Sequence, residues 1–76
     1  MTVGKDGRVR EQPISDDMIR LGQFLKLAGL IDSGADAKPL VAEGAVAVNG
    51  EVETRRGRQL HRGDVVSIGA EQVRVS

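Results

Sequence analysis

The feature that most constrains this 76-residue sequence is a valine-rich run, Val46–Val48, that leads directly into Asn49-Gly50. Asn-Gly beside alternating apolar residues is the strongest short-range signal of a β-hairpin. A plain two-residue loop would place Glu51 opposite Val48, and a second glutamate opposite the first valine of the run. Pairing Val48 with Val52 instead requires one more loop residue or a bulge, so we predict an irregular turn.

Two further turns divide the rest of the C-terminal half into short strands. Arg62–Asp64 is a predicted turn ahead of the apolar run Val65–Ile68. Gly69-Ala70 then separates that run from Gln72–Val75. Short valine-rich runs that are bounded by turn residues are typical of strands, so this half of the chain predicts a small sheet.

The residues ahead of the hairpin follow helical spacing instead. Four apolar residues recur at positions i, i+3, i+4 and i+7 and would form one face of a helix: Leu21, Phe24, Leu25 and Ala28. Asp16 or Asp17 lies just ahead, where an acidic side chain caps a helix and interacts favourably with its dipole. We therefore predict a first helix that starts near Ile19 and stops at Gly29.

A second helix is predicted after a short turn, and its first residue is open. Ser33 and Asp36 have the spacing of a capping box. With Ser33 as the cap, Pro39 is the sixth helical residue, where a hydrogen bond is lost and the helix bends. With Asp36 as the cap, Pro39 is the third helical residue and is tolerated. We favour Ser33, with the helix ending at Gly44 and an apolar face made of Ala37, Leu40 and Val41.

These elements predict an α+β fold in which two N-terminal helices pack on a small, mainly antiparallel sheet of three or four short strands. Ahead of the helices, residues 1–17 combine glycines, a proline and alternating charges with no repeat of period two or 3.6. We predict that this segment is a flexible arm and that residues 18–76 form the folded domain. The alternative is that Val9 or Ile14 joins the sheet in an edge strand.

Composition excludes several classes of protein. There are 11 Lys and Arg residues and 11 Asp and Glu residues, so the formal net charge of zero favours no class of partner. There is no cysteine, which excludes disulfides and thiolate metal sites. The apolar runs are far shorter than the roughly 20 residues that span a membrane, and no secretory signal opens the chain. We therefore predict a cytoplasmic, monomeric protein with no membrane partner.

The sequence also lacks the patterns of an enzyme. His61 is the only histidine, and no phosphate-binding glycine loop or Ser-His-Asp set can be assembled around it. Phe24 is the only aromatic residue, which disfavours binding of single strands by base stacking. We therefore predict a non-catalytic protein that holds no metal and no cofactor.

Positive charge is concentrated in one segment. Between residues 54 and 62 the chain carries four arginines and one histidine but no carboxylate. The arginines that follow the hairpin, in what we call the basic loop (residues 54–58), are Arg55, Arg56 and Arg58. Because the planar guanidinium group suits phosphate oxygens, this loop predicts an anion-binding face. The alternative is a solubilising loop whose arginines pair with Glu51, Glu53 or Asp64.

The start of the second predicted helix offers a further anion site. Free backbone N–H groups at a helix start, the hydroxyl of Ser33 and the ammonium of Lys38 together suit a phosphate group. The first helix adds Arg20 and Lys26. Each of these side chains has an alternative interpretation, since Ser33 could serve only as a cap and the lysines could simply face solvent.

Several of these motifs occur together and in a fixed order. They are Arg20-Leu21, Phe24-Leu25, Ser33, Ala37-Lys38, Leu40-Val41, Gly44–Gly50 and Gly63-Asp64. In this order they resemble the S-four RNA-binding domain, also called the αL motif, from Ile19 to Ser76. A smaller set is similar to the stand-alone bacterial YbcJ-like proteins: Ser33-Gly34, Ala37-Lys38, Glu43-Gly44 and Glu53–Arg56.

This resemblance implies a non-catalytic protein that binds structured RNA, either ribosomal RNA or a ribosome-assembly intermediate. It implies that the RNA-binding residues are Lys26, Ser33, Lys38, Arg55, Arg56 and Arg58. Many members of the family carry arginine where this chain has Gly34 and Pro39, so its basic face is thinner. The alternative function is a protein-interaction module that docks an acidic partner through the basic loop and the sheet edge.

Overall fold

The structure is a computed structural model that describes residues 9–32 and 34–76, of which residues 34–36 are described by their backbone alone. In chain order the described elements are β1 (Arg10–Gln12), β2 (Met18–Arg20), α1 (Leu21–Leu27), α2 (Gly34–Ala42), β3 (Val46–Val48), β4 (Glu51–Val52), β5 (Gln59–His61), β6 (Val65–Ile68) and β7 (Glu71–Val75). Neither α1 nor α2, the helices of the described part of the chain, is long and apolar enough to cross a membrane.

The strands form two sheets. The larger sheet has five strands in the order β1-β7-β6-β3-β4, and the smaller pairs β2 with β5. Every pairing is antiparallel except that of β1 with β7. The predicted α+β class is confirmed, whereas the prediction of three or four strands was too low. The helices also lie mid-chain rather than first, because β1 and β2 precede them.

The hydrophobic core joins both helices to both sheets. Its fully buried large side chains are Phe24, Leu21, Leu25, Leu60, Val41, Val46, Val48, Val66, Val73 and Val75. Ala28 and Ala37 are buried beside them, and Leu40 is half-buried. The apolar faces predicted for the two helices are therefore confirmed. Because α1 packs on this core along one side, its other side is left for the solvent.

The first helix begins later than predicted. Met18 and Ile19 are extended and pair with β5, so the helical conformation starts only at Leu21. Arg20 is the N-cap residue, and its N–H donates to the side-chain carbonyl of Gln23 at 3.4 Å. The prediction that an aspartate at position 16 or 17 caps this helix was wrong, because strand pairing holds the intervening residues extended. The predicted stop at Gly29 is confirmed by its φ of 75°.

The second helix begins where the Ser33 interpretation requires. It runs from Gly34, so Pro39 lies inside it as the sixth residue, and the interpretation with Asp36 as the cap was wrong. Ser33 itself lies outside the described residues. Gly44, with a φ of 84°, ends the helix as predicted.

The β3–β4 hairpin has a regular turn, so the prediction of an irregular one was wrong. The register pairs Val48 with Glu51 and Ala47 with Val52, which leaves a loop of only Asn49-Gly50. The φ angles of the two loop residues are 53° and 88°, the positive values that a tight hairpin turn requires. This register leaves Val52 65% exposed.

The same register turns Glu53 inward. The N–H of Glu53 donates to the carbonyl oxygen of Val46 at 2.9 Å, and the residue is only 5% exposed. The irregular turn was predicted because the plain loop places glutamates opposite both valines, and the structure shows that one of these carboxylates is indeed buried, which is unfavourable unless it is paired. The register is nevertheless stable, because two arginines, Arg55 and Arg58, form ion pairs with Glu53.

The N-terminal segment contributes an edge strand. β1 pairs in parallel with β7, and the two chain segments continue in contact beyond it: the N–H of Ser76 donates to Gln12 O, and the N–H of Ile14 donates to Ser76 O, each at 3.0 Å. An edge strand is therefore present at Arg10–Gln12, although neither Val9 nor Ile14, the residues named for it, lies within the strand. Residues 1–8, the first part of the segment predicted to be a flexible arm, lie outside the described residues.

Substitution of the second turn residue tests the hairpin. Because Gly50 has a φ of 88°, Gly50→Ala forces a side chain into the left-handed region, and we expect a loss of about 1–2 kcal/mol in the free energy of unfolding. Urea unfolding followed by circular dichroism measures the loss. Gly57→Ala is the matched control, because a Cβ there makes only an ordinary contact of 3.7 Å with Arg20 Nη1. Equal unfolding midpoints for the two variants would contradict the assigned turn.

Candidate nucleic-acid interface

Glu53 holds two of the three arginines of the basic loop. Its Oε2 accepts hydrogen bonds from the backbone N–H and the Nε of Arg55, at 2.9 and 3.1 Å. Its Oε1 accepts from Arg58 Nη1 at 2.9 Å. The carboxylate side chain is 7% exposed, against 77% for Arg55 and 33% for Arg58. The pairing with Glu53 that the solubilising-loop interpretation predicted is therefore present, although most of Arg55 stays in contact with solvent.

These contacts keep the cluster charged. The side-chain hydrogen bond from Arg55, followed by that from Arg58 and the backbone N–H of Arg55, lowers the pKa of Glu53 from 4.5 to about 2. The hydrogen bond to Glu53 in turn raises the pKa of Arg55. Glu53 thus cancels one positive charge, so the segment of residues 53–58, with three arginines and one carboxylate, retains two positive charges.

The lowered pKa makes stability depend on pH. Because the pKa of Glu53 is lower in the folded than in the unfolded state, its contribution is complete above about pH 4.5 and is lost as the pH falls toward about 2. We expect Glu53→Gln to be clearly less stable than wild type at pH 6, and the difference in urea midpoint to shrink at pH 2.5. A difference of the same size at both pH values would contradict the ionised cluster.

Cations from α1, from its N-cap and from the basic loop converge on one cleft. Arg20, Lys26 and Arg56 line an open cleft of about 430 Å³ between α1 and the loop. We call this the cationic cleft; its remaining lining residues are Gly22, Gln23 and Gly57. Within the described part of the chain, no carboxylate lines it. Each of the three cationic residues is exposed, so their charges face the solvent.

Backbone contacts hold the cleft together. The N–H groups of Leu21 and Gly22, at the start of α1, donate to the carbonyl oxygens of Arg58 and Arg56 at 2.8 and 2.9 Å. The basic loop thereby satisfies helix donors that would otherwise face water. Arg20 Nη1 donates to the carbonyl oxygen of Gly57 at 3.0 Å, which fixes one guanidinium group against the loop. The cleft is therefore fixed in place by main-chain hydrogen bonds.

The structure brings together part of the predicted site. Of the six predicted residues, Lys26 and Arg56 meet in the cationic cleft, and Arg55 and Arg58 lie at Glu53 in the same loop. Lys38 is exposed on α2 and does not line the cleft. The helix-start site proposed around Ser33 falls on a residue outside the described ones.

Arg20, noted above as a cation of the first helix but not included in the six predicted RNA-binding residues, also lines the cleft. Its position in the Arg20-Leu21 motif was the available signal, but the sequence does not show that the basic loop folds back onto the start of α1. The cleft offers guanidinium, ammonium and amide donors, the groups that bind phosphate oxygens. Among the described residues, no group of three or more His, Cys, Asp or Glu side chains could hold a metal ion.

Comparison with known proteins places this arrangement in a family. Residues 12–76 match the family described as the S4 domain, which is most of the chain. The chain belongs to the S4 domain family. This S4 domain is 59% identical over 58 residues to RlbA of Bacillus subtilis (strain 168), which is named for ribosome maturation. That alignment covers 74% of this chain and 82% of RlbA.

The YbcJ protein of Escherichia coli (strain K12) is a second relative, 44% identical over 57 residues that cover 75% of this chain and 81% of YbcJ. The solution structure of E. coli YbcJ resembles this S4 domain with a TM-score of 0.68 and 36% identity, covering 91% of this chain and 89% of that one. That structure is described as having an αL motif involved in RNA binding. The resemblance to the S-four family and its YbcJ-like members is therefore confirmed.

Proposed function

We propose that this S4 domain binds structured RNA without catalysing a reaction, and that its ligand is ribosomal RNA or a ribosome-assembly intermediate. The observation that carries the proposal is the convergence of Arg20, Lys26 and Arg56 on one cleft. The relatives support it, since the YbcJ structure is described for RNA binding and RlbA is named for ribosome maturation. In this proposal the domain acts in the cytoplasm as a monomer.

Phosphate binding is the proposed mechanism. A cleft of about 430 Å³ with three cations and no lining carboxylate among its described residues suits a phosphate group of the RNA backbone. Arg20, tethered to the carbonyl oxygen of Gly57, is positioned in advance, which reduces the entropy lost on binding. Arg55 and Arg58 extend the positive surface along the loop, and Lys38 adds a charge on α2.

Recognition follows the shape of the RNA rather than its base sequence. Phe24, the only aromatic residue of the chain, is fully buried, so no aromatic ring is available for base stacking. The major groove of an A-form helix is too deep and narrow for side chains to reach base edges. Contacts with phosphates therefore set both the affinity and the register of the domain on the RNA.

Salt dependence tests this mechanism. With about three to five phosphate contacts, the logarithm of the association constant should fall against the logarithm of salt concentration with a slope of roughly −2 to −4. Fluorescence anisotropy of a labelled RNA hairpin, titrated at several salt concentrations, measures the slope. A flat dependence would contradict the proposal. Absence of RNA binding, together with a captured acidic protein that survives RNase treatment, would favour the protein-interaction alternative.

A further inference from the structure

The second residue of α1 is a glycine with no room for a side chain. A Cβ atom built on Gly22 would lie 2.7 Å from Cγ and 3.4 Å from Cδ of Arg56, and 3.6 Å from the Arg56 carbonyl oxygen. Non-bonded carbon atoms pack at about 3.5–4.0 Å, so the shortest of these contacts is a collision. Glycine is otherwise a poor choice within a helix, because alanine favours the helical conformation more.

The collision falls on the stem of the Arg56 side chain, while the Arg56 backbone is held. The N–H of Gly22 donates to the carbonyl oxygen of Arg56 at 2.9 Å, and the neighbouring N–H of Leu21 is bonded to Arg58. Because these two hydrogen bonds fix the loop backbone, rotation of Arg56 about χ1 is the easiest way to relieve the collision with a side chain at position 22. That rotation carries the guanidinium group away from its place in the cleft.

We propose that Gly22 is a positioning residue of the cationic cleft. Its missing side chain lets the stem of Arg56 cross the first turn of α1, so that Arg56 shares one phosphate-binding cleft with Arg20 and Lys26. Gly22 contributes no charge and acts only through Arg56. The inference rests on the proposed RNA-binding function, because the consequence of moving Arg56 is a weaker contact with phosphate.

A double-mutant cycle on an RNA hairpin at low salt tests the inference. We expect Gly22→Ala and Arg56→Ala each to lower affinity about fivefold and to reduce the magnitude of the salt slope by about one. The double variant should bind like Arg56→Ala alone, because that substitution already removes the Cγ atom with which the new methyl group collides. Gly22→Ala should also unfold at a urea concentration no lower than wild type, since alanine favours the helix.

Leu27→Ala in the same helix is the control, because Leu27 is 50% exposed and does not line the cleft. We expect it to bind RNA like wild type. The inference is overturned if Gly22→Ala binds as wild type does while Arg56→Ala binds more weakly. It is equally overturned if the losses of the two single variants multiply in the double variant.

A measurement without RNA separates this inference from the proposed function. Three-bond couplings of Arg56 and nuclear Overhauser effects between the Gly22 Hα and Arg56 Hγ protons report the χ1 rotamer in the free protein. We expect the rotamer to change in Gly22→Ala and to stay unchanged in Leu27→Ala. An unchanged rotamer in Gly22→Ala would overturn the inference, whereas failure of wild type to bind any structured RNA would overturn the proposed function alone.

Discussion

Replacing all three cations of the cleft, as Arg20→Gln, Lys26→Gln and Arg56→Gln together, is expected to lower affinity for structured RNA about 100-fold at low salt. Each side chain neutralises one phosphate, and the loss of one such contact weakens binding about fivefold. The salt slope should shrink in magnitude by about 2–3, because fewer counterions are released. Anisotropy titration of the same RNA hairpin measures both quantities.

A second triple variant provides a control with the same change in net charge. Arg10, Arg62 and Arg74 are ion-paired with Glu71, Asp17 and Glu11, and they lie outside the residues that line the cleft. At physiological salt, where charges more than about 8 Å apart are largely screened, their replacement by glutamine should change affinity less than about threefold, and much less than replacement of the cleft cations does. If the two triple variants lost affinity equally, binding would follow overall charge rather than the cleft.

Phe24→Ala is expected to have the largest effect on stability. Phe24 is the largest fully buried side chain, and it joins α1 to the core. Its truncation should lower the free energy of unfolding by about 3–5 kcal/mol, which approaches the whole stability of a domain this small. Because α1 carries Gly22 and Lys26 and begins directly after Arg20, this variant should lose RNA binding together with its fold.

Leu27→Ala in the same helix is the control for this prediction. Leu27 is 50% exposed, so its truncation removes little buried surface and should lower the free energy of unfolding by less than about 1 kcal/mol. Urea unfolding measured by circular dichroism compares the two variants. Equal midpoints would show that the core is not organised around Phe24.

The sequence predicted the elements whose signals are local. The 3.6-residue spacing of Leu21, Phe24 and Leu25 identified the buried face of α1, and Gly29 and Gly44 marked the two helix ends. Turn residues likewise separated β6 from β7. Each of these features is decided within a few residues, so a single sequence is enough to find it.

The features missed by sequence reasoning depend on contacts between distant or paired residues. The hairpin register seemed wrong because it places glutamates opposite valines. The sequence offered Glu53 as only one of three possible partners of the loop arginines, and the folded loop shows that Arg55 and Arg58 both pair with it. Strand β2 was read as helix because its pairing with β5 joins residues about 40 positions apart, such as Ile19 and Leu60. Tertiary pairing overrode local preference in both cases.

The candidate site was predictable only in part, because it too depends on contacts between residues that are distant in the sequence. The basic loop and Lys26 are visible as charge in the sequence, and so Arg56 and Lys26 were both chosen. Their convergence with Arg20 depends on the hydrogen bonds between the start of α1 and the loop, which no local pattern reports. The role of Gly22 follows from the same contact.

The measurement that tests the central claim most directly is an amide chemical-shift titration of isotope-labelled protein with a short RNA hairpin, at low and at physiological salt. We predict shifts clustered at residues 20–26 and 54–58, around the cationic cleft, that weaken as salt is raised. The edge formed by β1 and β7 should show little change, because it lies across the sheet from β4, the strand that leads into the basic loop. An unchanged spectrum, or shifts centred on β1 and β7, would contradict RNA binding through the cleft.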